Sequence, residues 1–242
     1  MQVKVVKNYA EMSKRAADMV ADLLEREPSS VLGLPTGSTP IGLYEELVRR
    51  HKEGLDFSQV TTFNLDEYHG LAADHPASYH YYMEKHLFGH INISRDKINI
   101  PTGVAADPVE VCRRYEGKIA QVGGIDLMIL GIGTNGHIGF NEPGTPFGST
   151  TDLVDLAPAT IEANSRFFER EADVPRKALS MGIRSIMNCR RIILLANGEA
   201  KAEAIAGAIQ GPVTEALPAS VLQLHPDCTF IVDEGAARDL DL

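Results

Sequence analysis

The sequence predicts an α/β protein with an open, largely parallel sheet and helices on both faces. Three observations carry that expectation. Short apolar runs alternate with longer amphipathic stretches along the chain, the order expected of βαβ units. Runs such as "IDLMIL" at 125–130 and "RIILLA" at 191–196 are almost wholly apolar, as strands covered on both faces must be. The 242 residues, 44% hydrophobic and 23% charged, suit one large domain spanning 1–242, and no linker or repeat divides it.

The first strand is "VKVV" at 3–6, followed by a helix over about 9–26, the strand "VLGL" at 31–34 and a helix over about 40–51. That second helix places Ile41, Tyr44, Leu47 and Val48 on one stripe. Next come "VTTFNL" at 60–65, a helix over about 77–88, "KINI" at 97–100, a helix over about 107–120 and "IDLMIL". In the second half, "TDLVDL" at 151–156 reads as a strand, 158–168 as a polar helical stretch and "GEAKAEAIAGAIQ" as a helix after "RIILLA". "SVLQLH" at 220–225 and "CTFIVD" at 228–233 read as the last strands. The arrangement is modified Rossmann-like, with room for antiparallel additions late in the chain.

Composition narrows the function. With 23 Lys and Arg against 33 Asp and Glu, the net charge of −10 disfavours attraction to nucleic acid or anionic membranes. A small anion held by local donors is still allowed. Cys112, Cys189 and Cys228 are far apart and form no CxxC pair, so neither a disulfide framework nor a thiolate metal site is signalled. No signal-peptide core opens the chain and no apolar run approaches the roughly 20 residues of a membrane span. A cytoplasmic protein is expected.

Ligands of open α/β sheets bind at the carboxyl ends of the strands, which directs attention to three loops. "GLPTGSTPIG" at 33–42 follows a strand and opens a helix capped by Ser38 or Thr39, with Pro40 at the first helical position. Its glycine, hydroxyls and unpaired amides make an anion cradle, while the missing GK[ST] disfavours a nucleotide P-loop; an ordinary capped turn would look the same. "TFNLDEYHG" at 62–70 crowds Asp66, Glu67, Tyr68 and His69 at a strand end. A carboxylate there could be a general base, its pKa raised by desolvation, or could cap the next loop. A metal site lacks a properly spaced third ligand.

"GIGTNGHIGFNEPG" at 131–144 matches GxGxxG through Gly131, Gly133 and Gly136. A dinucleotide site requires that motif to run into a helix, and Pro143 and Pro146 forbid one. A lone histidine here could be a buried structural one, but the glycines let His137 and Glu142 turn toward one pocket, and Asn135 and Asn141 beside them favour a functional cluster. Arg166 and Lys201 complete the inventory as cations suited to a phosphate. His86 and His90 are discounted as a metal pair because Gly89 between them should end the helix.

Taken together, "GLPTGSTP", "FNLDEY", "SYHYYM", "GIGTNGHIGFNEPG", "ANSRFF", "KALSMGI" and "LQLH" resemble the glucosamine-6-phosphate deaminase family, in order from about residue 30 to 232. The resemblance implies cofactor-free conversion of glucosamine 6-phosphate and water into fructose 6-phosphate and ammonia. It makes Asp66 the base that moves a proton from C2 to C1, His137 the ring-opening residue, and Glu142 the group that orients it. Many relatives carry aspartate at Asn135, so the amide here divides the work with Glu142 differently. The phosphate would lie on Thr36, Gly37, Ser38 and Thr39, with Arg166 and Lys201 closing over it, and 158–176 resembles the family's lid. Allosterically activated members have basic residues where this chain has Asp152 and Val154, and they have a longer tail. An unregulated monomer or small homo-oligomer is therefore expected. Two rivals are 6-phosphogluconolactonase, which shares the fold but needs no C2 base, and a catalytically silent sugar-phosphate sensor, which would have lost one of Asp66, His137 and Glu142.

Overall fold

The computed structural model describes residues 1–165, 168, 170 and 173–241. The chain opens with β1 (Gln2–Val6) and α1 (Tyr9–Arg26). Asn8 starts that helix by accepting a hydrogen bond from the Glu11 amide, and the Lys7 amide donates back to the Glu11 carboxylate, a reciprocal cap. Then come β2 (Val31–Leu34), α2 (Ile41–Lys52), β3 (Thr61–Asn64), β4 (Asp66–Tyr68), α3 (Tyr79–His86), β5 (Ile98–Asn99), α4 (Pro108–Gln121) and β6 (Leu127–Leu130). The second half contributes β7 (Asp152–Asp155), α5 (Pro158–Asn164), β8 (Lys177–Ser180), α6 (Ile183–Met187), β9 (Arg191–Ala196), α7 (Ala202–Gln210) and β10 (Cys228–Asp233).

Among the described residues, seven strands form a sheet in the order β1-β10-β9-β6-β2-β3-β5, and every pairing in it is parallel. Alternate residues of its central strands feed two cores. Leu127 and Ile129 pack with Leu32, Leu34 and the apolar faces of α1 and α2. Met128 and Leu130 pack with Phe63, Ile192, Leu194 and α7 residues such as Ile205 on the other face. From β2 the chain proceeds to β3 and β5 on one side, whereas β6, β9 and β10 build outward on the other. The crevice where this direction reverses lies between the ends of β2 and β6, the place where such sheets take ligands.

Three expectations need correction. "VTTFNL" continues past its strand: β3 stops at Asn64, and Asp66 already belongs to β4, in a separate antiparallel sheet of order β4-β8-β7. Leu65 is the hinge between the two sheets, its amide donating to the Leu34 carbonyl at 3.2 Å while its own carbonyl accepts from Met181 at 2.7 Å. The antiparallel additions therefore include an early segment, and "TDLVDL" joins this smaller sheet. "SVLQLH" is no strand. Residues Pro218–Leu224 form a 3₁₀ helix, because Pro218 withholds a ladder donor and Ser220 ties the preceding turn through Thr214. Finally, α2 has Pro40 rather than Ser38 or Thr39 as its cap residue, with no side-chain cap bond, so the two hydroxyls are not consumed in capping. No helix among the described residues is long and apolar enough to cross a membrane.

Candidate active site

The two glycine-rich loops meet at the crevice between β2 and β6, enclosing a cleft of about 320 Å³. From β2 come Thr36, Gly37, Ser38 and Thr39; from the β3–β4 hinge comes Asp66; from the loop after β6 come Asn135 and His137; and Lys201, just before α7, closes another side. Glu142 stands behind His137, and Arg166 lies outside the described residues.

The β2 loop presents donors. Gly37 has φ +100 and open space where a side chain would be, a conformation that favours glycine. The amides of Thr36, Ser38 and Thr39 donate to no group among the described residues, which leaves an anion-accepting concavity.

Asp66 and Glu67 are neighbours with opposite fates. Glu67 is fully buried, and its carboxylate accepts from the amides of Tyr68 (2.8 Å), Tyr79 (3.0 Å) and His80 (3.1 Å), with His80 Nδ1 at 2.8 Å. It staples β4 to the start of α3. Asp66 is also buried, yet among the described residues no group hydrogen-bonds its carboxylate, which lines the cleft. Burial, helped by the neighbouring Glu67 charge, pushes the Asp66 carboxyl up to about 8. Such a group is poised to take a proton near neutrality.

The loop after β6 holds an opposed pair. His137 Nδ1 is 3.4 Å from Glu142 Oε2, a contact too long and bent for a hydrogen bond. The imidazole lies against Gly133, where an added Cβ would fall 2.3 Å from the ring. Asn135 does not touch the ring: its amide donates to Glu142 Oε2 at 2.8 Å, and its carbonyl oxygen accepts from the His137 backbone amide at 3.2 Å. Thr160 donates to the other Glu142 oxygen at 2.5 Å. Burial opposes the Glu142 charge, but the adjacent His137 imidazole and the hydrogen bonds from Thr160 and Asn135 bring it down to about 2. Among the described residues, no cluster of His, Cys, Asp or Glu is arranged to hold a metal, and Cys112, Cys189 and Cys228 are buried and unpaired.

A family model describing glucosamine-6-phosphate isomerases and 6-phosphogluconolactonase matches residues 6–231. The chain belongs to that family. Within it, the chain is 55% identical over 244 aligned positions to a glucosamine-6-phosphate deaminase of Clostridium botulinum, covering 100% of both chains. It is 54% identical to that of Thermoanaerobacter pseudethanolicus, over 98% of this chain and 94% of that protein. Among solved structures, a monomeric glucosamine-6-phosphate deaminase superposes with a TM-score of 0.97 at 47% identity, covering 99% of this chain and 100% of the other. A 6-phosphogluconolactonase from Trypanosoma cruzi shares the fold, with a TM-score of 0.81 at 22% identity over 100% and 97% of the two chains.

Sequence reasoning passed over two residues of this candidate site. Thr160 arrives from α5 and becomes visible as a Glu142 ligand only in three dimensions. Tyr79 lines the cleft beside Asp66 with its ring stacked on Phe140. Its only sequence signal was its place in "SYHYYM".

Proposed function

We propose that the cleft binds glucosamine 6-phosphate and converts it, with water, into fructose 6-phosphate and ammonia, a step of amino-sugar catabolism. The observation that carries this reading is the unpartnered, desolvated Asp66 carboxylate held between a donor-rich loop and the His137–Glu142 pair. Relatives named for the same reaction match the chain over its whole length.

The phosphate sits on the open amides of Thr36, Ser38 and Thr39 and the hydroxyls of Ser38 and Thr39, with Lys201 beside them, which fixes the far end of the sugar and lets remote binding energy place the reacting carbons. His137 moves a proton from the anomeric hydroxyl to the ring oxygen, opening the ring. Glu142, kept ionised, stabilises the imidazole while it is protonated, and Asn135 holds Glu142 in place through its amide. In the open chain, Asp66 removes the C2 proton and returns it to C1. The enolamine between these steps tautomerises to an imine at C2, and water adds to it and expels ammonia. No cofactor or metal is required. Arg166 is assigned to the phosphate by resemblance alone.

The protein is proposed to act in the cytoplasm as a monomer or small homo-oligomer, with no nucleic-acid or membrane partner; the 47% identical deaminase is itself described as monomeric. The test is stoichiometric release of ammonia and fructose 6-phosphate by purified protein without added cofactor or metal. Asp66→Asn should lower turnover by about 10³-fold while sparing binding of the sugar phosphate. Near-normal turnover in that variant would remove Asp66 from the mechanism.

A further inference from the structure

The proposed phosphate loop is held open by tyrosines that do not line the cleft. The Tyr44 hydroxyl donates to the Pro35 carbonyl at 2.5 Å, the Tyr82 hydroxyl to the Gly37 carbonyl at 2.6 Å and the Tyr9 hydroxyl to the Ser38 carbonyl at 3.3 Å. Each tyrosine comes from a different helix: Tyr9 from α1, Tyr44 from α2 and Tyr82 from α3. Tyr9 also accepts the Gly42 amide at 2.7 Å, tying the loop's exit to the same hydroxyl. The Tyr44 and Tyr82 rings meet edge to face, with centroids 6.5 Å apart. None of the three hydroxyls is part of the cleft lining.

In a trans peptide the carbonyl and the following N–H point in opposite directions. A carbonyl drawn back toward the helices therefore turns the next amide the other way. The three tied carbonyls precede the amides of Thr36, Ser38 and Thr39, the ones with no partner among the described residues. The link is specific in sequence as well as in space, since each tether acts on a peptide whose unpartnered N–H belongs to a residue lining the cleft.

We infer that Tyr9, Tyr44 and Tyr82 are positioning residues that pre-organise the β2 loop for a phosphate monoester by holding its carbonyls away from the ligand. This rests on the assignment of that loop to the phosphate. Two costs are removed before the ligand arrives: rotation of the peptide planes, and repulsion between carbonyl oxygens and a dianion. Burial raises the Tyr44 and Tyr82 hydroxyls above their ordinary range, so both remain donors wherever the protein is folded.

The test compares Tyr9→Phe, Tyr82→Phe and Tyr44→Phe with the parent, reading KM and kcat for glucosamine 6-phosphate and the inhibition constant of inorganic phosphate. Tyr81→Phe, on the exposed side of α3, is the control. Each tether variant should raise both KM and the phosphate inhibition constant about fivefold, the effect of one hydrogen bond, with kcat within about twofold of the parent, while the control leaves all three unchanged. Phosphate inhibition unaltered in the variants, with only the melting temperature lowered, would show the hydroxyls to be packing elements and overturn the inference alone. A parent protein that phosphate does not inhibit would overturn the loop assignment and this inference with it. Should Tyr44→Phe fail to fold, the less buried Tyr9 and Tyr82 variants decide the matter.

Discussion

Replacing Asp66 by Asn should separate what this carboxylate costs the fold from what it gives the reaction. Its ordinary value is 3.8 and burial lifts it to about 8. Between these limits the native protein holds a proton on Asp66 that the unfolded chain has released, so the Asp66 contribution to stability is fully present below about pH 4 and is lost as the pH rises toward 8. At about 1.4 kcal/mol per pH unit, the fall has a ceiling of roughly 6 kcal/mol. Asn keeps the shape without the charge. Urea unfolding of parent and Asp66→Asn from pH 4 to pH 9 should show the variant gaining on the parent steadily across this window, then holding its advantage. Activity must run the other way, because only the ionised carboxylate can accept a proton. Log kcat/KM should rise with unit slope below about pH 8, leaving the rate at pH 7 about a tenth of its plateau. Parallel stability curves for the two proteins, or an acid limb near pH 4, would refute the desolvation argument.

Three further outcomes follow from the same geometry. Glu67→Ala strands three backbone amides and His80 Nδ1 in a buried site and should cost about 3 kcal/mol; denaturant titration reads it, and a loss below about 1 kcal/mol would mean that the staple does not hold β4 to α3. Gly133→Ala places a methyl group against the His137 imidazole, so turnover of the ring-closed substrate should drop at least about tenfold; unaltered turnover would show that the ring's position is unimportant. Glu142→Gln should slow the ring-closed sugar more than C2 proton exchange in an open-chain analogue, and because Glu142 titrates near 2, the acid limb near pH 8 should stay where it was. A limb displaced by this change would assign it to the His137–Glu142 pair instead of Asp66.

Much of this was legible in the chain because strands covered on both faces must be apolar throughout. "VLGL", "RIILLA" and "CTFIVD" could be placed almost to the residue for that reason. The loop that lines the candidate site was legible for a related reason: prolines and glycines in "GIGTNGHIGFNEPG" rule out a helix and leave a loop. What escaped was decided by long-range pairing. Nothing local separates "VTTFNL" from "DEY"; the break at Leu65 exists because β8, more than a hundred residues later, claims Asp66–Tyr68 as an antiparallel partner. "SVLQLH" has the apolar content of a strand, and short apolar runs carry no periodicity that would reveal a 3₁₀ turn. The local pattern likewise gave Ser38 or Thr39 a capping duty that the structure leaves to Pro40.

The break at Leu65 explains the chemistry better than either sheet alone. A strand continuing straight into solvent would carry Asp66 and Glu67 out into water, where the Asp66 carboxyl could not depart far from its ordinary value. Turning the chain into a second sheet buries both side by side, and α3 then meets the hydrogen-bonding needs of only one. The charge of the Glu67 carboxylate is one of the two causes that raise Asp66. Across the cleft the logic is reversed, since Glu142 receives hydrogen bonds from two side chains and the imidazole's charge. Carboxylates pushed toward 8 and toward 2, one lining the cleft and the other behind His137, cannot exchange duties: in the proposed reaction the first takes and returns a carbon-bound proton, and the second stays charged beside the histidine proposed to shuttle one.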